Sequence, residues 1–136
     1  MKTLLLVDDR PNDLRIAAEA ARDLGIADVN AQTSAMKARA FLERALEGEV
    51  PLPEGIVLDL DLGYESGFEL LRLWHSTPQL AVIPMMVWSV MDREREICTL
   101  FKVKSFVSKS DGPKAFREAL AQLASQGSKP AQNHSL

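Results

Sequence analysis

Apolar runs along the chain end repeatedly in a polar side chain. Residues 3–7 run into Asp8-Asp9, residues 55–58 into Asp59 and residues 83–88 into Ser89, while Ser105-Phe106-Val107-Ser108 reads as a short strand ended by Lys109. Runs this short and nearly continuous are the composition of buried parallel strands rather than half-exposed ones. Residues 28–33 predict a weaker strand. Between the runs the apolar period changes to that of a helix. Leu14, Ala17, Ala18, Ala21 and Leu24 share one face, and Gly25 is placed to end that helix. Ser34 can cap a second helix carrying Ala38, Phe41, Leu42 and Ala45. Leu70, Leu71 and Trp74 mark a third, stopped by Ser76-Thr77-Pro78. Residues 91–101 predict a fourth, and its Arg93-Glu94-Arg95-Glu96 run is expected to be a solvated face, with a docking surface as the alternative. Asp111 and Pro113 open a fifth, with Phe116, Ala119, Leu120 and Leu123 as its stripe.

Five strands alternating with five helices predict an α/β fold. It is a doubly wound parallel sheet with helices on both faces, joined by right-handed crossovers. At 136 residues the chain holds one domain, expected over 1–125, with a disordered tail over 126–136 whose Gly, Ser and Pro carry no pattern. The net charge of −3 gives no basic footprint for nucleic acid. No apolar run has membrane-spanning length, and no export signal is visible. Cys98 is the sole cysteine, so no intrachain disulfide framework exists and a cytoplasmic location is expected.

In a doubly wound sheet the carboxyl ends of the strands converge at the switch point, where ligands bind. That rim gathers Asp8, Asp9, Asp59, Ser89 and Lys109. Carboxylates crowded together repel one another unless a cation joins them, and hard oxygen donors suit Mg²⁺. A lysine beside them adds a point charge for a phosphoryl group, and a serine adds a hydroxyl. This set is what moving a phosphoryl group onto a carboxylate requires.

With these residues in order on these elements, the chain resembles the receiver domains of two-component response regulators. The likeness covers roughly residues 2–125. It rests on the acidic pair Asp8-Asp9 after strand one, Asp59 after strand three, Gly67 eight residues on, Ser89 after strand four, Phe106, and Lys109 after strand five. The resemblance implies the flavodoxin-like strand order 2-1-3-4-5. It implies Asp59 as phosphoacceptor, and Mg²⁺ held by Asp8, Asp9, Asp59 and the main-chain carbonyl of Asp61. It implies phosphoryl contacts from Ser89 and Lys109, and a switch formed by Ser89 and Phe106, although Phe106 as simple edge packing stays open. The implied phosphodonor is a sensor histidine kinase or a histidine phosphotransfer protein. The downstream protein target is unknown. The face formed by the fourth helix, fifth strand and fifth helix is the implied partner surface, with homodimerisation through it left open. Such a chain is a single-domain signalling module rather than a turnover enzyme.

Four positions depart from the family pattern: Gly63 and Ser110 stand where proline is usual, Val90 where a small residue is usual, and Lys102 where glycine is common. A non-proline cis bond costs ~3 kcal/mol, so Lys109-Ser110 is expected trans. Two other functions compete. Asp59 and Asp61 also form the Asp-x-Asp of haloacid-dehalogenase-like phosphatases, a pair of nucleophile and acid/base. That motif usually ends the first strand, and here it ends the third. A dinucleotide or flavin binder on the same fold would need a glycine-rich loop after strand one, which this sequence lacks.

Overall fold

A computed structural model describes residues 1–63, 65–90 and 94–127. Five parallel strands form one sheet: β1 (Thr3–Val7), β2 (Asp28–Gln32), β3 (Gly55–Leu58), β6 (Met85–Ser89) and β7 (Ser105–Ser108). Their order is β2-β1-β3-β6-β7, which is 2-1-3-4-5 when only these strands are counted. Every pairing is parallel, with Leu5 beside Ile56 and Leu58 beside Val87. The helices are α1 (Pro11–Asp23), α2 (Ala35–Leu46), α3 (Phe68–Ser76), α4 (Pro78–Ala81), α5 (Arg95–Leu100) and α6 (Gly112–Gly127).

Side chains on a strand alternate between faces, so each run supplies two cores. Leu5, Val7, Ile56, Leu58, Met85 and Val87 meet α2, α3, α4 and α5. Leu4, Leu6, Val57, Met86, Trp88 and Val107 meet α1 and α6. This explains why β1, β3 and β6 read as unbroken apolar runs, whereas the edge strand β2 is largely exposed.

The helix boundaries follow the local signals. Pro11 opens α1, Ser34 Oγ accepts from the Lys37 backbone N–H at 3.1 Å, and Gly25 follows α1 at φ +80°. Leu24, expected on the buried face, is exposed there. Two elements are additions to the expected pattern. Pro78, expected as a stop, also starts the single turn α4, because proline lacks only an N–H that a first turn leaves unbonded. The loop after Asp59 contains a small antiparallel hairpin, β4 (Asp61–Leu62) and β5 (Glu65–Ser66). Gly63 takes φ +70° in its tight connection, a value closed to proline, so the departure from the family's proline has a backbone cause. Lys109–Asp111 form a 3-10 turn, and α6 continues through Gly127, two residues past the expected domain end at 125. The Met91 start of the fourth expected helix and the tail from Ser128 lie outside the described residues.

The peptide Lys109-Ser110 is trans, as expected. Lys102 sits at φ +66°, the left-handed region that costs a side-chain-bearing residue roughly 1–2 kcal/mol. Glycine avoids that cost but loses about 0.5–1 kcal/mol to backbone freedom in the unfolded chain. Lys102→Gly is therefore expected to gain up to about 1 kcal/mol, read as a higher urea midpoint at unchanged slope. A lower midpoint contradicts the strain.

Gly67 shows why the segment after the hairpin needs a glycine. A Cβ there would stand 2.6 Å from the Asp59 carbonyl oxygen and 2.9 Å from Leu60 Cα, both of them backbone. Gly67→Ala is expected to cost about 1–3 kcal/mol and to push Asp59 out of place. Urea denaturation measures the first effect; an unperturbed variant would show that the two segments do not approach this closely.

Candidate functional site

The parallel ladder continues one step past β3, where the Asp59 backbone N–H donates to the Val7 carbonyl at 2.9 Å. This fixes Asp59 and Asp8 side by side at the carboxyl rim of the sheet, with Asp59 2% and Asp8 4% exposed. Lys109 reaches them from the end of β7. Its ammonium has three protons, and each finds a carboxylate: Asp8 Oδ2 at 2.7 Å, Asp13 Oδ2 at 2.7 Å and Asp59 Oδ2 at 2.9 Å. The Trp88 ring lies under the same ammonium, with its centroid 4.9 Å from Nζ, a cation–π contact. The remaining oxygens of Asp8 and Asp59 accept backbone N–H groups of Arg10 and Asp61, each at 2.9 Å.

Charge is unbalanced in this cluster among the described residues, since Asp8, Asp13 and Asp59 share the ammonium of Lys109 and Asp9 adds a further carboxylate beside Asp8 and Asp59. Burial pushes the Asp59 carboxyl up to about 6, with the Lys109 and Asp61 hydrogen bonds working the other way. Burial raises Asp8 as well, against the same lysine and the Arg10 N–H. Burial alone would weaken the charge on Lys109, but its bonds to Asp13, Asp8 and Asp59 outweigh this and raise its pKa.

One oxygen from each of Asp8, Asp9 and Asp59 lies within 4.8 Å of the others. Asp9 Oδ1 is buried without a hydrogen-bond partner among the described residues. A buried carboxylate oxygen with no donor is costly, and a hard divalent cation beside three carboxylates would meet it. The donor set thus fits a divalent ion.

Ser89 is brought to this rim but not to Lys109. It is fully buried, and its Oγ donates to Glu94 Oε1 at 2.7 Å. Phe106 is half-buried on β7, with the Arg95 guanidinium stacked 4.6 Å over its ring. The Asp61 carboxylate lies 3.4 Å from Arg10, both side chains well exposed, while the Asp61 backbone N–H donates to Asp59 Oδ1. Asp61 therefore touches Asp59 through its N–H. Cys98 is buried, and burial, aided by the charge of Glu94, pushes its thiol up to about 11, as befits a core residue.

Two functional positions escaped the sequence reading. Asp13 passed as part of a helix start, although an acid five residues past Asp8 in the first turn of α1 was the available signal. Glu94 was assigned to a solvated face and is in fact buried at 8% exposure. The charged run around it concealed a side chain turned inward.

No protein-family model matches the chain. Among known proteins, Response regulator Rcp1 of Synechocystis sp. is 30% identical over 113 residues, spanning 80% of this chain and 77% of that protein. Two solved structures superpose over nearly the whole chain. The phosphorylated cyanobacterial phytochrome response regulator RcpA aligns with a TM-score of 0.76 at 28% identity, covering 90% of each chain. The Mn²⁺-bound form of Rcp1 aligns with a TM-score of 0.76 at 27% identity, covering 92% of this chain and 93% of the other.

Proposed function

The chain belongs to the response regulators, and from that membership we propose that it is a receiver that takes a phosphoryl group onto Asp59 from a phosphohistidine. The observation that carries the reading is the placement of Asp59: a buried carboxylate at a strand end, bonded to Lys109 and beside Asp8 and Asp9.

In the reaction an Asp59 carboxylate oxygen attacks phosphorus. The new P–O bond forms as the P–N bond breaks, and the donor imidazole leaves with the bonding pair and takes up a proton. Lys109 already touches Asp59 Oδ2 and is placed to hold an oxygen of the arriving group. Ser89 gives its hydroxyl to another. Asp8, Asp9 and Asp59 would hold Mg²⁺ by their side chains and Asp61 by its main-chain carbonyl, and the ion would neutralise the charge of the incoming group. A Mn²⁺-bound relative supports a divalent ion here. A sensor histidine kinase or histidine phosphotransfer protein would be the donor, and α5, β7 and α6 the face read by a downstream protein. The reading includes a cytoplasmic location, and no helix among the described residues is long and apolar enough to cross a membrane.

The Asp59–Asp61 phosphatase reading loses support from the Asp61 carboxylate, which pairs with Arg10 rather than facing a substrate at Asp59. Incubation with a small phosphodonor and Mg²⁺ is expected to yield one acid-stable, base-labile acyl phosphate, absent from Asp59→Asn. Steady hydrolysis of many phosphomonoesters would overturn the assignment.

A further inference from the structure

The buried contact between Ser89 and Glu94 goes beyond the proposed phosphoacceptor chemistry, although it rests on it. Ser89 sits at the end of β6 and Glu94, five residues on, immediately before α5. Both are buried, and the hydroxyl donates to the carboxylate at 2.7 Å. A serine hydroxyl has one proton. While that proton is given to Glu94 it cannot be given to a phosphoryl oxygen on Asp59.

We propose that Glu94 is a positioning residue that latches Ser89 in the unphosphorylated protein, and that phosphorylation opens the latch. The two acceptors compete for one donor. The phosphoryl group brings more negative charge and wins the hydroxyl. Glu94 is then left as a buried carboxylate without its donor, a state that proteins avoid by moving the group to water. Glu94 immediately precedes α5, so its exit displaces the first turn of that helix. Arg95, the next residue, lies over the Phe106 ring and donates to the Phe106 carbonyl at 3.4 Å. The same displacement therefore reaches the aromatic position on β7. It also shifts a face on which Ile97 and Leu100 are already exposed.

The test follows acyl-phosphate formation from acetyl phosphate and Mg²⁺ in wild type, Glu94→Ala, Glu94→Gln, Ser89→Ala and the Ser89→Ala/Glu94→Ala double variant. Freed of its competitor, Ser89 in Glu94→Ala is expected to speed phosphorylation by about five- to tenfold. Glu94→Gln keeps the shape and a weaker, neutral acceptor, so its rate falls between the two. The double variant matches Ser89→Ala alone, because Glu94 acts only through that hydroxyl. If Glu94→Ala folds poorly, the glutamine variant with its near-identical volume carries the comparison. Glu94 variants at the wild-type rate overturn the latch. So does a Glu94→Ala effect that is equally large with and without Ser89. Wild type that forms no acyl phosphate removes the Asp59 reading and the latch with it. Wild type that forms one while Glu94→Gln and Glu94→Ala are indistinguishable from it removes the latch alone.

Discussion

Lys109→Met is expected to destabilise the metal-free protein by about 3–5 kcal/mol at neutral pH, the usual cost of removing one partner from a buried charge cluster. Methionine keeps most of the stem volume over Trp88 but removes all three hydrogen bonds. Asp8, Asp13 and Asp59, now held together by one ammonium, would then face one another without a cation. Their mutual repulsion raises the folded-state pKa values of Asp8 and Asp59 beyond the elevation that burial already gives those two. The sign follows from that elevation. A carboxylate that binds its proton more tightly when folded loses stability as pH rises through the folded pKa. The deficit of the variant is therefore largest at neutral pH and shrinks on acidification toward the ordinary carboxylate range. Mg²⁺ is expected to restore more stability to the variant than to wild type, since the bound ion replaces the missing charge. Urea titrations in EDTA and in Mg²⁺, at neutral and mildly acidic pH, measure all three effects. A midpoint in EDTA equal to that of wild type would show that the ammonium does not hold the carboxylates together.

Asp59→Asn is expected to abolish phosphoryl acceptance and yet to stabilise the metal-free protein. The amide oxygen can still accept the Asp61 N–H that Asp59 Oδ1 accepts now. Lys109 keeps Asp8 and Asp13. What disappears is a buried carboxylate whose pKa is pushed from 3.8 up to about 6. Between those two values folded wild type binds a proton that the unfolded chain has lost, so its stability falls as pH rises across that window. The asparagine variant lacks this component. In EDTA it is expected to be more stable by on the order of 1–3 kcal/mol above pH ~7, with the difference vanishing near the ordinary aspartate pKa. Mg²⁺ narrows the gap, because wild type retains the third carboxylate of the cluster. An asparagine variant less stable than wild type at neutral pH in EDTA would mean that the Lys109–Asp59 bond outweighs the burial of the carboxylate. A gain in stability with loss of acceptance would mark a functional site working against the fold that carries it.

Much of this site was legible in the sequence because it lies where apolar runs end. A buried strand is buried along its length, so the residue at which the run turns polar marks the rim of the sheet. Asp8, Asp59, Ser89 and Lys109 could be placed on one rim in this way before any contact was known. Gly67 was marked out by the family resemblance, but its reason was not legible: the close approach to the Asp59 carbonyl is between backbones, and no residue pattern displays it. Gly63 and Lys102 stood out as departures, and only their positive φ values explain one as a turn requirement and mark the other as strain.

The sequence by itself determined the five strands of the main sheet, the buried faces of most helices, and the acids and lysine on the shared rim, with the strand order implied by the family resemblance. These depend on local period and on where burial stops, which are properties of neighbouring residues. The tertiary structure alone decided which partners those groups hold. Asp13 joins Lys109 across 96 residues, and Glu94 turns inward to Ser89 although charged residues flank it. The rotation of a helix about its axis, and the meeting of its first turn with a distant strand end, are set by how both cores fill. A short charged segment leaves that rotation open until the cores close.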